Sequence, residues 1–239
     1  MSCILNIETS TSVCSVALSM DGEVLFAKAS FDGPSHAALL GVFVEEALSV
    51  LKKKGKKALD AVAVSSGPGS YTGLRIGVSV AKGLCFGFGI PLIGIHTLDI
   101  MAATVNSKGD SQIVSITDNC LYCAMLDARR MEVYAAIYDA SLKPVRETKA
   151  DIVEAGTYAS YLEKGKVCFF GNGASKCKSV ITSPNAIFIE DIHPLAVNMI
   201  PLSEQAFAAG KFEDIAYFEP FYLKEFQATV AKNKVLLAR

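Results

Sequence analysis

Short runs of apolar and β-branched residues open the chain, at Cys3 to Ile7, Val13 to Met20 and Val24 to Ala29. Runs of this length predict strands, and Asp21-Gly22 between the second and third supplies the turn of a hairpin. The period then changes. From Pro34-Ser35 to about Lys53 apolar residues return every three or four positions, which predicts a helix. An apolar strand at Ala61 to Val64, a glycine-rich loop and a second helix from about Thr72 to Phe86 follow. Beyond Ser111 the order comes back. Strands are predicted at Ile113–Ile116, Cys120–Leu126 and Val133–Tyr138, a helix at Val153–Glu163, a strand at Val167–Phe170 and a helix at Ser203–Ala209.

Strand meander, helix, strand, helix therefore occurs twice. Such a duplication predicts an α/β protein of two lobes, each with a mixed sheet and flanking helices: the duplicated actin-like (ASKHA) architecture with its ribonuclease H-like motif. A junction at Asn106 to Asp110 divides the chain into an N-terminal lobe, residues 1–106, and a smaller C-terminal lobe, residues 107–221. A last helix over about 222–239 is expected to return to the first lobe.

The two helices of the first half carry more than a core needs. On the first, Leu40, Phe43, Ala47, Leu48 and Leu51 form one apolar stripe, and Leu39, Val42 and Val50 form a second on an adjoining face. The second helix grows out of Ser65 to Gly77, a strand end, glycine-rich turn and helix start in one piece. No lysine followed by serine or threonine closes that loop, so it is not a phosphate-binding P-loop. Within the helix Gly73, Gly77 and Ala81 recur every four residues and leave one face nearly bare. Each glycine costs roughly 1 kcal/mol relative to alanine, so their repetition implies close approach by another backbone. Spacing alone leaves open whether that neighbour is internal. The second stripe beside it predicts an interface with another chain, formed by Leu39, Val42, Gly73, Leu74, Gly77 and Ala81.

Composition narrows the chemistry. Of the 239 residues 51% are hydrophobic and 20% charged, yet no apolar stretch approaches the roughly 20 residues of a membrane span. The start shows no export signal, so the expectation is a cytoplasmic protein. A net charge of −1 gives no sign of a basic face for gripping nucleic acid alone, and the lysine run from Lys52 to Lys57 reads as a helix end capped by Gly55. Seven cysteines scattered through apolar runs read as reduced, buried thiols, Cys120 and Cys123 included. A metal pair one helical turn apart would need histidine at both 36 and 40, but His36 is followed by Leu40. No nucleophile elbow is present. Glu8-Thr9-Ser10 ends a strand in an acid and hydroxyls, and Gly171-Asn172-Gly173 follows another strand. Both segments read first as tight turns, with the edge of a nucleotide site as the alternative.

Taken together, Ile4 to Ser10, Ser66 to Gly77, Gly94 to Leu98, Asp127 to Tyr134 and Gly171 to Gly173 resemble, in order and spacing, the TsaB (also called YeaZ) family. The resemblance implies a non-catalytic partner of the related TsaD-type subunit, which transfers a threonylcarbamoyl group to adenosine 37 of tRNAs reading A-starting codons. It implies pairing through the two helices above, homodimers when the chain is alone, a TsaE-type ATPase in the complex, and tRNA contact only through that complex. It further implies no firmly bound cofactor and no metal, with a nucleotide at a partner interface as the open case; Glu8, Thr9, Ser10, Gly171 and Gly173 are its candidate contacts. Glu8 stands where the family usually has aspartate. The competing readings are an ATP-dependent small-molecule kinase of the actin-like group and a glycoprotease.

Overall fold

A computed structural model describes residues 2–33, 35–55, 58–107 and 120–223. The strand expected at Ile113–Ile116 lies outside these residues, as does nearly all of the helix expected over 222–239. In the first half β1 (Cys3–Glu8), β2 (Cys14–Met20) and β3 (Glu23–Ser30) form an antiparallel meander. β4 (Ala61–Gly67) and β5 (Leu92–His96) add in parallel, giving the order β3-β2-β1-β4-β5.

The second half repeats this arrangement strand for strand. β6 (Leu121–Asp127), β7 (Glu132–Tyr138) and β8 (Pro144–Ile152) are its meander, and β9 (Val167–Phe170) and β10 (Ala186–Ile189) its parallel pair. The order is β10-β9-β6-β7-β8, the first sheet read in reverse, with the same parallel and antiparallel pairings. The third meander strand is thus β8 and not the run at Ile113–Ile116. β8 is an edge strand, solvated along most of its length, so its sequence carries no apolar alternation to read.

Helices α1 (His36–Lys53) and α2 (Tyr71–Phe88) cover one face of the first sheet. The other face takes α3 (Thr97–Ser107) and α5 (Ala196–Ala208). β1 shows why both faces need cover. All six of its residues are buried; Cys3, Leu5 and Ile7 point to the α1/α2 side and Ile4 to the other. The helix expected at Val153–Glu163 contracts to the single turn α4 (Ala159–Leu162), which packs on the second sheet.

The lobe boundary differs from the expected one. α5, assigned to the C-terminal lobe, lays Met199 against Ile4, Ala63 and Ile93 of the first sheet. Its Glu204 accepts hydrogen bonds from Ser2 Oγ, Ser19 Oγ and the Gly22 N–H. Further on, the Glu213 N–H donates to the Leu92 carbonyl at 2.8 Å, and Ile215 and Phe218 sit on the first core. Residues 196–221 therefore close the first lobe, because a sheet buried on both faces needs two layers of helix. α3 bridges the halves. Leu98, Met101, Ala102 and Val105 pack on Leu126 and Phe170 of the second sheet, Ile100 faces the first, and Tyr138 Oη donates to Asp99 Oδ1 at 2.6 Å.

α2 is capped by Ser70, whose Oγ accepts the Gly73 N–H, and ends at Gly89 in the left-handed conformation. Its bare face turns inward. A Cβ on Gly73 would lie 2.1 Å from the Thr9 carbonyl oxygen, and one on Gly77 2.2 Å from Thr9 Oγ1. Thr9 Oγ1 donates to the Gly73 carbonyl at 2.8 Å. Gly73, Leu74, Gly77 and Ala81 are all buried within the chain, so they are not surface residues of an interface as the sequence reading expected. The close neighbour is the loop after β1. By contrast Gly83 and Gly87 on α2, and Gly41 on α1, have open space where a Cβ would stand.

These two kinds of glycine predict opposite responses. Gly73→Ala drives a methyl group into a backbone carbonyl and should cost on the order of 3 kcal/mol in urea unfolding. Gly83→Ala should gain about 1 kcal/mol, the ordinary helix-propensity difference. Equal midpoints for the two variants would contradict the assignment of the α2 faces.

Candidate functional site

A cleft of about 940 Å³ opens between the lobes. Its first wall consists of Ser10, Thr11, Ser12, His36 and the turn from Pro68 into the start of α2; its second is the β6–β7 turn with Tyr134 and Asn172. Phe221 and Tyr222 stand at its edge, Tyr222 against the Tyr71 ring with centroids 5.0 Å apart.

The second wall is held tightly. The Ala128 N–H donates to the Glu132 carbonyl and the Glu132 N–H to that of Arg129, which closes the turn. Asp127 Oδ1 accepts the Arg129 N–H at 2.9 Å and pairs with Lys176. The same ammonium donates to the carbonyls of Arg130 (2.7 Å) and Glu132 (2.6 Å). Asn172 Oδ1 accepts the Asp127 N–H at 2.9 Å. This frame places two successive residues, Arg129 (φ 69°) and Arg130 (φ 50°), in the left-handed region, at a cost of roughly 1–2 kcal/mol each. Both line the cleft. Gly171 and Gly173 do not. A Cβ on Gly171 would meet Met101 Cε and the Met125 carbonyl, and one on Gly173 the Leu126 carbonyl carbon, so these glycines let the loop after β9 lie against β6 and present Asn172.

On the first wall, Glu8 and Thr9 lie beneath the surface at 0% exposure and outside the cleft lining. Glu8 Oε1 accepts the Ser10 N–H. Of the five candidate nucleotide contacts only Ser10 reaches the cleft. His36 Nε2 donates to the Thr11 carbonyl at 2.8 Å, and Leu40 one turn on is buried in the core. Among the described residues no group of three or more histidine, cysteine, aspartate or glutamate side chains is placed to hold a metal ion, and no helix is long and apolar enough to cross a membrane.

The outer surface of α1 and α2 is a second feature. Leu39 is half-buried and Val42 is 47% exposed, so these two expected interface residues are at the surface. Ile76, Val80, Gly83 and Gly87 recur at helical spacing along one ridge of α2, and Phe86 beside it is 84% exposed. The sequence reading missed Gly83 and Gly87 although they too stand four apart. Nothing in the sequence signals the left-handed arginines, which depend on Lys176 reaching back across 46 residues to the Arg130 carbonyl.

Burial of Glu8 predicts a pH effect. Desolvation raises its carboxyl from the usual 4.5 to about 7, against hydrogen bonds to Ser10 and Ser65 that lower it. Between those values the folded protein keeps a proton that the unfolded chain has lost. Stability is then fullest below about pH 4.5 and falls as pH rises through about 7, by on the order of 3 kcal/mol. Glu8→Gln keeps the acceptor for Ser10 and should remove this loss. In denaturant unfolding at about pH 5 and about pH 8, wild type should lose more stability than the variant. Identical pH slopes would show that Glu8 is not buried as described.

Residues 32–232 match the family model described as TsaD, tRNA N6-adenosine threonylcarbamoyltransferase. The Escherichia coli K12 protein named tRNA threonylcarbamoyladenosine biosynthesis protein TsaB is 32% identical over 232 residues, covering 92% of this chain and 94% of that one. A tRNA N6-adenosine threonylcarbamoyltransferase of Nitratidesulfovibrio vulgaris is 38% identical over 112 residues, 41% of this chain and 31% of its own. The solved structure of YeaZ from Pseudomonas aeruginosa superposes with a TM-score of 0.74 at 25% identity, over 93% of this chain and all of that one. With one third identity sustained along nearly the whole of both chains, and the same fold over that length, the chain belongs to the TsaB family.

Proposed function

We propose that this chain is the non-catalytic partner that binds and activates a TsaD-type threonylcarbamoyl transferase for modification of adenosine 37 in tRNAs reading A-starting codons. The observation that carries the reading is the outer face of α1 and α2. It exposes Val42 and Phe86 and spends three helix glycines, Gly41, Gly83 and Gly87, on no internal neighbour. Glycine in a helix without an internal contact weakens the helix, and a close-packed partner helix offsets that cost. A pair of the chain's own copies would meet through the same ridge when the catalytic subunit is absent. A TsaE-type ATPase completes the complex, and tRNA is met through the complex in the cytoplasm, whose reducing poise suits seven cysteines with no disulfide among them in this structure.

The cleft supports a role without chemistry of its own. Asp127 is engaged by Lys176, Glu8 is sealed beneath the wall, and His36 is turned to the Thr11 carbonyl. A magnesium-dependent kinase needs carboxylates poised over the nucleotide, and a protease needs a nucleophile beside a base. A nucleotide held at the partner junction would meet Arg129, Arg130 and Ser10 here, and not Glu8, Thr9, Gly171 or Gly173.

Gly83→Leu tests the interface. The open space at Gly83 accommodates the side chain, so the monomer should keep its fold and melt no lower than wild type. Its affinity for the TsaD-type subunit should drop by at least about tenfold, the effect of roughly 1.4 kcal/mol lost at one contact. Undiminished binding by a folded Gly83→Leu protein would remove this face as the partner surface.

A further inference from the structure

The Cys120-Leu121-Tyr122-Cys123 motif draws attention to a pair that the fold separates. Cys123 belongs to the core on one face of the second sheet, while Cys120 faces the other with Leu126 and Phe170. What the fold brings to Cys120 is Cys168, 48 residues on. The two sulfurs are 2.9 Å apart at 2% and 1% exposure, Cys168 on β9 and Cys120 just before β6, two positions from the residue that pairs with Cys168. A disulfide has its sulfurs at about 2.05 Å, so the sulfurs must approach by under about 1 Å, and because diagonal strand neighbours have Cα atoms about 7–8 Å apart the backbone must move with them. We infer that Cys120 and Cys168 form a reversible disulfide site, oxidised by a small neutral peroxide.

The surroundings suit that chemistry. The hydrogen bond shared with Cys168 holds the Cys120 thiol below its usual range, against desolvation and helped by Lys166. Cys123 is driven the other way by full burial. The Cys120 thiolate attacks hydrogen peroxide; a sulfur–oxygen bond forms, the oxygen–oxygen bond breaks, and hydroxide leaves to become water. Cys168 sulfur then displaces the second oxygen from the resulting sulfenic acid, its proton leaving with that oxygen as another water. Two thiols lose two electrons and two protons, and one peroxide becomes two waters. The product ties β6 to β9, the strands that lead to Asp127 and Asn172 on the cleft's second wall.

Mass spectrometry of the intact full chain treated with hydrogen peroxide tests the assignment. The expected result is a loss of about 2 Da, reversed by dithiothreitol, with a fall from seven reactive thiols to five in denaturant. Digestion and fragmentation of the wild-type product should locate the bond at Cys120 and Cys168. Cys123→Ser should keep the bond, and Cys168→Ser should lose it. Fragmentation of the wild-type protein decides the question by itself if a variant does not fold. A bond between Cys120 and Cys123, gain of oxygen without loss of hydrogen, or no change at peroxide levels that oxidise free cysteine would overturn the proposal.

Discussion

The contact between the loop after β1 and the first turns of α2 is the constraint on which the rest of the first lobe depends. Thr9 and Gly73 meet backbone to backbone, Gly77 leaves room for the Thr9 side chain, and the Ser70 N–H donates to the Ser10 carbonyl at 2.6 Å. Three glycines, Gly69, Gly73 and Gly77, are needed because any Cβ there would collide with Thr9 or Ser10. The approach seats α2 on the sheet and fixes its outward ridge. It also seals Glu8 beneath the wall of the cleft, where burial pushes its carboxyl up to about 7. One packing decision thus sets both the surface offered to a partner and the absence of a carboxylate from the cleft lining on that side.

The duplication acts at a larger scale. Both sheets use one topology, but they are not covered alike. The first is closed by α5 and by residues 213–221 from the far end of the chain, so its stability rests on sequence from both halves. α3 then carries the second sheet on its opposite side. The cleft between the sheets gets its second wall from a turn held by Lys176, with Arg129 and Arg130 in its lining.

Much of this was legible in the sequence, for physical reasons that also explain the failures. β1, β2, β6, β7 and β9 are buried on both faces and read as plain apolar runs. β8 escaped because an edge strand exposed on both sides needs no apolar period, and β10 because four residues give none to measure. The need for close approach along α2 was visible in Gly73, Gly77 and Ala81, but spacing carries no information about what approaches. The Thr9 loop took that face, and the face proposed here for a partner carries glycines with no internal neighbour. Glu8 and Thr9 were visible as an acid and a hydroxyl ending a strand; their burial follows from α2 lying over them, a tertiary fact. Arg129, Arg130 and the Cys120–Cys168 pair depend on residues more than 40 positions away and had no local signature.

The family places the chain in a group named for tRNA threonylcarbamoyladenosine biosynthesis, and the ridge on α1 and α2 supplies a physical reason for it to work through a partner. The most direct test is transfer of labelled threonine and bicarbonate to tRNA by a TsaD-type subunit, the adenylate-forming enzyme and the small ATPase, with and without this chain. The account predicts modified tRNA only when the chain is present and physically paired with the catalytic subunit. Equal product in its absence, with no pairing, would contradict it.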